Sequence, residues 1–254
     1  MNKIDILFKE KKKNILSIYF TAGYPKLGDT CRIINDLEQA GVDLIEIGIP
    51  FSDPLADGPV IQQSSLQALH NGMNLKLLFD QLQEVKNTSI PKILMGYYNS
   101  IYQYGIENFC KSCVDNGVDG VIIPDFPPEE YKNKYIHIFE NYGLHMIFLV
   151  TPQSTDERIQ KLALLSKGFL YLVSSFGTTG KTSSFDTTVP FLERIQRMNL
   201  QIPTLVGFGI DDSISFNLAS KYANGAIIGS AFIKSLENNN NTNSFINTIQ
   251  NQMI

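Results

Sequence analysis

Eight short runs of Ile, Leu, Val and aromatic residues recur along this chain, each separated from the next by room for one helix, and this alternation restricts the fold more than any other feature. The runs fall at 15–20, 44–49, 93–98, 120–124, 145–150, 169–174, 204–208 and 226–229, and their length and branched or aromatic content read as strands. Between them, segments at 29–40, 75–86, 106–116, 129–141, 156–166, 189–198 and 212–222 carry apolar residues at i, i+3 and i+4, the pattern of a helix with one buried stripe. Gly41, Gly117 and Gly143 stand just past three of these segments, while Pro128, Asp156 and Asp212 stand at or near three starts, as helix ends require. A strand that is followed by one helix and then another strand returns to the same end of a sheet, so the strands are parallel and covered on both faces. Eight such units in 254 residues predict an α/β chain of the TIM (β/α)8 barrel type, a single domain over 1–254 with extra helices. An open doubly wound sheet fits the alternation too, but no Gly-x-Gly-x-x-Gly follows the first run, which favours the barrel.

Composition removes several classes of function. Lys+Arg number 21 against 25 Asp+Glu, a formal net charge of -4, so no overall field draws the chain to nucleic acid or to an anionic membrane. The basic stretch Lys9 to Lys13, broken by Glu10, reads as a solvated helix end. Cys110 and Cys113 have redox-motif spacing but lie inside a helical pattern, and with Cys31 they make an odd number lacking the second pair a zinc site needs. Buried thiols in a reducing compartment are expected, and no metal. The three histidines, His70, His137 and His145, have no ligand spacing and read as surface or packing residues. No apolar run approaches the roughly 18 residues needed to cross a bilayer, and the first residues lack an apolar signal core.

Two departures from even spacing locate the chemistry. A ten-residue stretch, Pro50 to Pro59, follows the second run and leads into an extra helical segment at 60–69; a Gly-, Ser- and Thr-rich stretch at 176–188 follows the sixth. Loops at the carboxyl ends of barrel strands form the working face. In the second run, alternation puts Ile45, Ile47 and Ile49 on one face and Leu44, Glu46 and Gly48 on the other. The isoleucines meet the helices, so Glu46 points into the barrel, where desolvation raises its pKa toward the range of a general acid and base. Asp53 and Asp57 lie in the following loop, stiffened by three prolines and a glycine, and either serves equally as a turn residue on spacing alone. Glycines cluster after the last three runs, at Gly177 and Gly180, Gly207 and Gly209, and Gly229 with Ser230, where barrels bind phosphate on main-chain N–H groups. Asp211 and Asp212 read as a helix cap. The tail beyond Asn238 to Asn241 reads as a polar connector and a weakly helical piece.

The string from Leu44 to Pro59, Leu-Ile-Glu-Ile-Gly-Ile-Pro-Phe-Ser-Asp-Pro-Leu-Ala-Asp-Gly-Pro, closely resembles the signature of the tryptophan synthase alpha subunit. Tyr19 to Pro25, Met95 to Asn99, Ile123 to Pro128, Tyr171 to Ser174, Val206 to Ile210 and Gly229 to Ala231 follow in that family's order. The resemblance implies a carbon–carbon lyase that cleaves indole-3-glycerol phosphate to indole and glyceraldehyde 3-phosphate and passes indole to a beta subunit for tryptophan synthesis, within an α2β2 tetramer. It implies no cofactor for this chain, pyridoxal phosphate belonging to the beta subunit. By position, Glu46 would be the acid and base, Asp57 would accept from the indole N–H, and Tyr171 would line the site. Phe20 would pack beside the indole ring, and Thr179, Gly180, Gly209, Gly229 and Ser230 would bind the phosphate end. The stretch at 176–188 is expected to be a lid. The ring-closing synthase of the same pathway would need a lysine inside the barrel, and the only near candidate, Lys92, precedes the third run. Abundant Asn, Ile and Lys suggest an AT-rich genome, hence a bacterial cytoplasm or a plastid stroma.

Overall fold

The computed structural model describes residues 1–174, 185–237 and 241–251. Nine strands are present among them: β1 (Ile15–Thr21), β2 (Leu44–Gly48), β3 (Lys92–Met95), β4 (Gly120–Ile122), β5 (His145–Ile147), β6 (Leu149–Val150), β7 (Leu170–Val173), β8 (Thr204–Gly207) and β9 (Gly225–Ile228). They form one sheet in the order β5-β4-β3-β2-β1-β9-β8-β7-β6, with every pairing parallel. The two margins of that order are the two halves of a single run, 145–150. Its first half pairs with β4 and its second with β7, and between them the Phe148 carbonyl accepts from Tyr171 N at 3.0 Å. The run therefore turns from one neighbour to the other about Phe148, and the sheet closes into a barrel of eight staves.

Sequence and structure agree on the alternation and differ at the edges. Helices Asp29–Gln39, Leu75–Glu84, Ile106–Asp115, Asp156–Leu165, Phe185–Arg197 and Ser213–Tyr222 follow the predicted stripes. The stripe at 129–141 is a helix in three pieces, Pro128–Glu130, a π turn at Tyr131–Tyr135, and Ile136–Tyr142. The third run ends as a strand at Met95, and Tyr98–Tyr104 is helical, because Asp125 Oδ1 accepts from Tyr98 N at 2.8 Å at the helix start. Helix Lys3–Glu10 supplies the helix end read at the basic stretch, though its extent was not anticipated. Asn2 caps it and also donates to the carbonyl of Asp119 at 2.7 Å, which lays the helix across the amino end of the barrel. Fully buried Ile4 sits there against Gly120 and Gly168, neither of which leaves space for a Cβ. The basic stretch ends this helix, with Lys11 paired to Asp43 at 2.6 Å.

Lys92 is the first residue of β3 rather than a residue before it, and it is fully buried. Its register partner is Ile45, on the helix-facing side of β2, and Nζ donates to Thr88 Oγ1 at 2.6 Å and to the carbonyl of Val85 at 3.2 Å. The lysine is thus outside the lumen and at the amino end, away from the catalytic face. Cys110 and Cys113 are buried, unbridged and in one helix; burial pushes the Cys110 thiol up to about 12, the opposite of what a redox thiol needs.

Candidate active site

Inward-facing residues follow from the registers. Tyr19 pairs with Glu46, Thr21 with Gly48, and Ser17 with Ile227, so Ser17, Tyr19 and Thr21 share the lumen face of β1. A cavity opens at the carboxyl ends of the strands. Tyr19, Met95, Tyr171 and Ile227 line it from the strands; Asp57, Gly58 and Ile61 line it from the loop and helix after β2; Phe208, Gly209, Asp211, Gly229 and Ser230 line it after β8 and β9. Two absent side chains make this layer possible. A Cβ on Gly48 would strike the Tyr19 hydroxyl, and one on Gly207 the Tyr171 hydroxyl.

Glu46 is fully buried. Its Oε1 accepts from Ser17 Oγ at 3.0 Å, and its Oε2 is buried with no hydrogen-bond partner among the described residues. Burial pushes its pKa up to about 8, opposed by the Ser17 hydrogen bond. Burial therefore favours the protonated, neutral form of this carboxyl. Glu46 is not one of the lining residues; its register partner Tyr19 is, and the carboxyl leans toward Ser17, one inward position nearer the amino end of β1.

Asp57 is held by the end of a different stave. Tyr97, just past β3, donates its hydroxyl hydrogen to Asp57 Oδ2 at 2.9 Å and accepts from Ala56 N at 2.9 Å, while its ring stacks on Phe51 with centroids 5.0 Å apart. One tyrosine so fixes both ends of the loop, and Asp57 Oδ1 remains buried without a partner among the described residues. Burial raises this carboxyl to about 6, with the Tyr97 bond pulling it down. Asp53, by contrast, is exposed and accepts from its neighbour Ser52 at 2.5 Å, as a turn residue does. Tyr171 is buried, meets Phe208 edge-on with centroids 6.3 Å apart, and burial with the nearby charges of Glu46 and Asp57 raises its phenol well above the usual value.

At the opposite side the chain bends sharply. Phe208 and Gly209 both have φ of 71°, a left-handed conformation that costs a non-glycine residue free energy and concentrates at functional sites. Ser174 Oγ holds this bend through the carbonyls of Gly207 at 2.9 Å and Phe208 at 2.7 Å. Gly209, Gly229 and Ser230 line the cavity here, and Ser230 opens the helix Ser230–Glu237. Asp212 is the helix cap expected, reciprocated by Ser215, but Asp211 lines the cavity.

Five of the expected residues, Asp57, Tyr171, Gly209, Gly229 and Ser230, thus border one cavity, and Glu46 adjoins it. Phe20 does not. It lies on the other face of β1, fully buried in the apolar core, and strand alternation puts Tyr19 where an aromatic beside the cavity was expected. Thr179, Gly180 and most of the stretch at 176–188 lie outside the described residues. Ser17, Tyr19 and Tyr97 were not anticipated; the first two were legible as polar positions alternating with Leu16, Ile18 and Phe20.

The chain matches the family model described as "Tryptophan synthase alpha chain" over residues 7–253. A protein of that name from Flavobacterium psychrophilum is 56% identical over 241 residues, which cover 94% of this chain and 95% of that one. Its namesake from Christiangramia forsetii is 54% identical over 254 residues, 98% of this chain and 99% of the relative. Among solved structures, tryptophan synthase from Mycobacterium tuberculosis superposes with a TM-score of 0.89 at 27% identity, covering 99% and 98% of the two chains. The alpha subunit from Legionella pneumophila gives 0.88 at 30%, covering 100% and 98%. With its barrel, its buried Glu46 and half-buried Asp57 at one cavity, and a match over nearly its whole length, this chain belongs to the tryptophan synthase alpha chain family.

Proposed function

We propose that Glu46 and Asp57 divide between them the proton and charge traffic of indole-3-glycerol phosphate cleavage. Members of the family are lyases that split this substrate into indole and glyceraldehyde 3-phosphate, a retro-aldol reaction. The bond that breaks joins the ring carbon C3 to the first carbon of the glycerol chain. Glu46, in its protonated form, gives its proton to C3, and the ring becomes an indoleninium cation with its charge at nitrogen. Asp57 accepts the N–H hydrogen bond and stabilises that cation more than it stabilises the neutral substrate. Glu46, now ionised, takes the proton of the glycerol hydroxyl; the carbonyl forms, the carbon–carbon bond breaks, and its electron pair restores the indole. The acid is then ready for the next substrate.

One observation carries this reading above the rest: at one cavity two carboxyls, Glu46 held by Ser17 and Asp57 held by Tyr97, each keep one buried oxygen without a partner among the described residues, and burial raises the first further than the second. Tyr19 and Tyr171 flank the place for the ring, and the phosphate rests on the amides at Gly209, Gly229 and Ser230. The reaction needs no cofactor in this chain, which acts as one domain. Its product goes to a beta subunit that holds pyridoxal phosphate in an α2β2 assembly. The named relatives are bacterial, which supports a bacterial cytoplasm; no helix among the described residues is long and apolar enough to cross a membrane.

The test is indole release from indole-3-glycerol phosphate by the chain alone and with beta subunit. The parent should turn over, while Glu46→Gln should lose about 10²–10⁴-fold in kcat yet keep its circular dichroism and its affinity for glycerol phosphate. A parent that releases no indole under either condition, or a Glu46→Gln variant within tenfold of it, overturns the reading.

A further inference from the structure

Ser17 is the least expected residue in the lumen of β1. It is a hydroxyl at 0% exposure in a run otherwise built of Ile, Leu and aromatics up to Phe20, and it does not line the cavity. Its registers with Leu44 and Ile227 place it deeper than Tyr19, in apolar surroundings where an idle hydroxyl is costly. Its Oγ donates to Glu46 Oε1 at 3.0 Å, and Oε2 of the same carboxyl is buried without a partner among the described residues.

A neutral carboxyl in this setting has two inequivalent oxygens. The one that accepts from Ser17 is a poor seat for the acid proton, which would there confront the serine hydrogen. The other meets no competing donor among the described residues. We propose that Ser17 is a positioning residue for the lyase reaction: its hydroxyl anchors Oε1 and so assigns the transferable proton to Oε2. Once Glu46 has given that proton away, the same hydroxyl donates to the carboxylate and stabilises it until the glycerol hydroxyl returns a proton. The inference rests on Glu46 as the proton carrier but concerns a residue that does not line the cavity.

Other titratable groups around the carboxyl are Tyr19 on β1 and Tyr171 on β7, both of which also feel Asp57 in the loop after β2, and Ser17 is the one hydrogen-bond donor to Glu46 among the described residues that shifts its titration. Removing it therefore has a directional effect. Ser17→Ala should lower kcat about tenfold with KM unchanged, and should move the alkaline limb of the kcat/KM profile upward by about one pH unit. Ser17→Cys, which fills the space but donates weakly, should behave as Ser17→Ala does, while Ser17→Thr should recover most of kcat. In difference infrared spectra, the carboxyl C=O band that disappears in Glu46→Gln should shift to higher frequency in Ser17→Ala and Ser17→Cys and return in Ser17→Thr.

Ser17→Ala or Ser17→Cys with the parent's kcat, pH limb and infrared band overturns the inference, and so does a kcat that rises, since Ser17 would then be restraining the acid. If Ser17→Ala does not fold, the contrast between Ser17→Cys and Ser17→Thr decides alone. Failure of the underlying reading has a separate signature: Glu46→Gln would itself remain active.

Discussion

Glu46 holds its proton in the folded chain over a range where the unfolded chain has lost it, because burial lifts its pKa from 4.5 to about 8. Between those values the native state binds one proton more than the unfolded state, so stability falls as pH rises, by roughly 1 kcal/mol per pH unit from this group alone. The contribution is complete below pH 4.5 and gone above the folded pKa. A glutamine never ionises, so Glu46→Gln should be the more stable protein at neutral pH, by an amount that grows from about pH 4.5 and levels off above 8; denaturant melts of both proteins across that range measure it. Catalysis has a different dependence. Asp57 must be ionised and Glu46 protonated, so kcat/KM should rise through about 6 and fall through about 8. A profile flat from pH 5 to 9 would contradict the division of labour between the two acids.

Strand β1 carries two unlike jobs on its two faces. Phe20 belongs to the apolar core, and Phe20→Ala should cost about 3–5 kcal/mol while leaving KM of the folded fraction unchanged. Tyr19 lines the cavity, so Tyr19→Ala should raise KM and cost less stability than Phe20→Ala. Thermal melts and steady-state kinetics on the pair separate the faces; a reversed pattern would place the strand in the wrong register. The two residues also show what a sequence can and cannot display. Polar Ser17, Tyr19 and Thr21 mark the lumen face of β1 by simple alternation, and Glu46 is legible by the same rule on β2. That Tyr97 would reach back across 40 residues to hold Asp57 is not legible, because it depends on how the ends of two neighbouring staves converge. Nor does a run of strand-like residues such as 93–98 announce that Asp125 will capture its last amide and start a helix.

At the scale of the molecule, eight repeats foretold a barrel, but nothing local in 145–150 foretold that this run would bend about Phe148. The bend follows from closure: one stave must satisfy β4 and β7 at once, and the short seam does so in two halves. Ser166 Oγ accepts from Phe148 N at 2.9 Å, so the amide at the bend is not left bare. The opposite end of the molecule is sealed by Ile4, and Ile4→Ala should cost about 2–5 kcal/mol with kcat and KM of the folded protein intact, as measured by denaturant titration and indole release. A loss of activity without loss of stability would show that the amino-terminal helix communicates with the catalytic face.

The closed seam also governs how this molecule can meet others. An open sheet offers a margin of unspent N–H and C=O groups on which foreign strands can assemble, whereas a ring of hydrogen bonds that ends where it began offers none. Companions must be engaged through side chains on the helical jacket or the upper rim, and a neighbouring unfolded chain in a crowded cell finds no backbone template to copy.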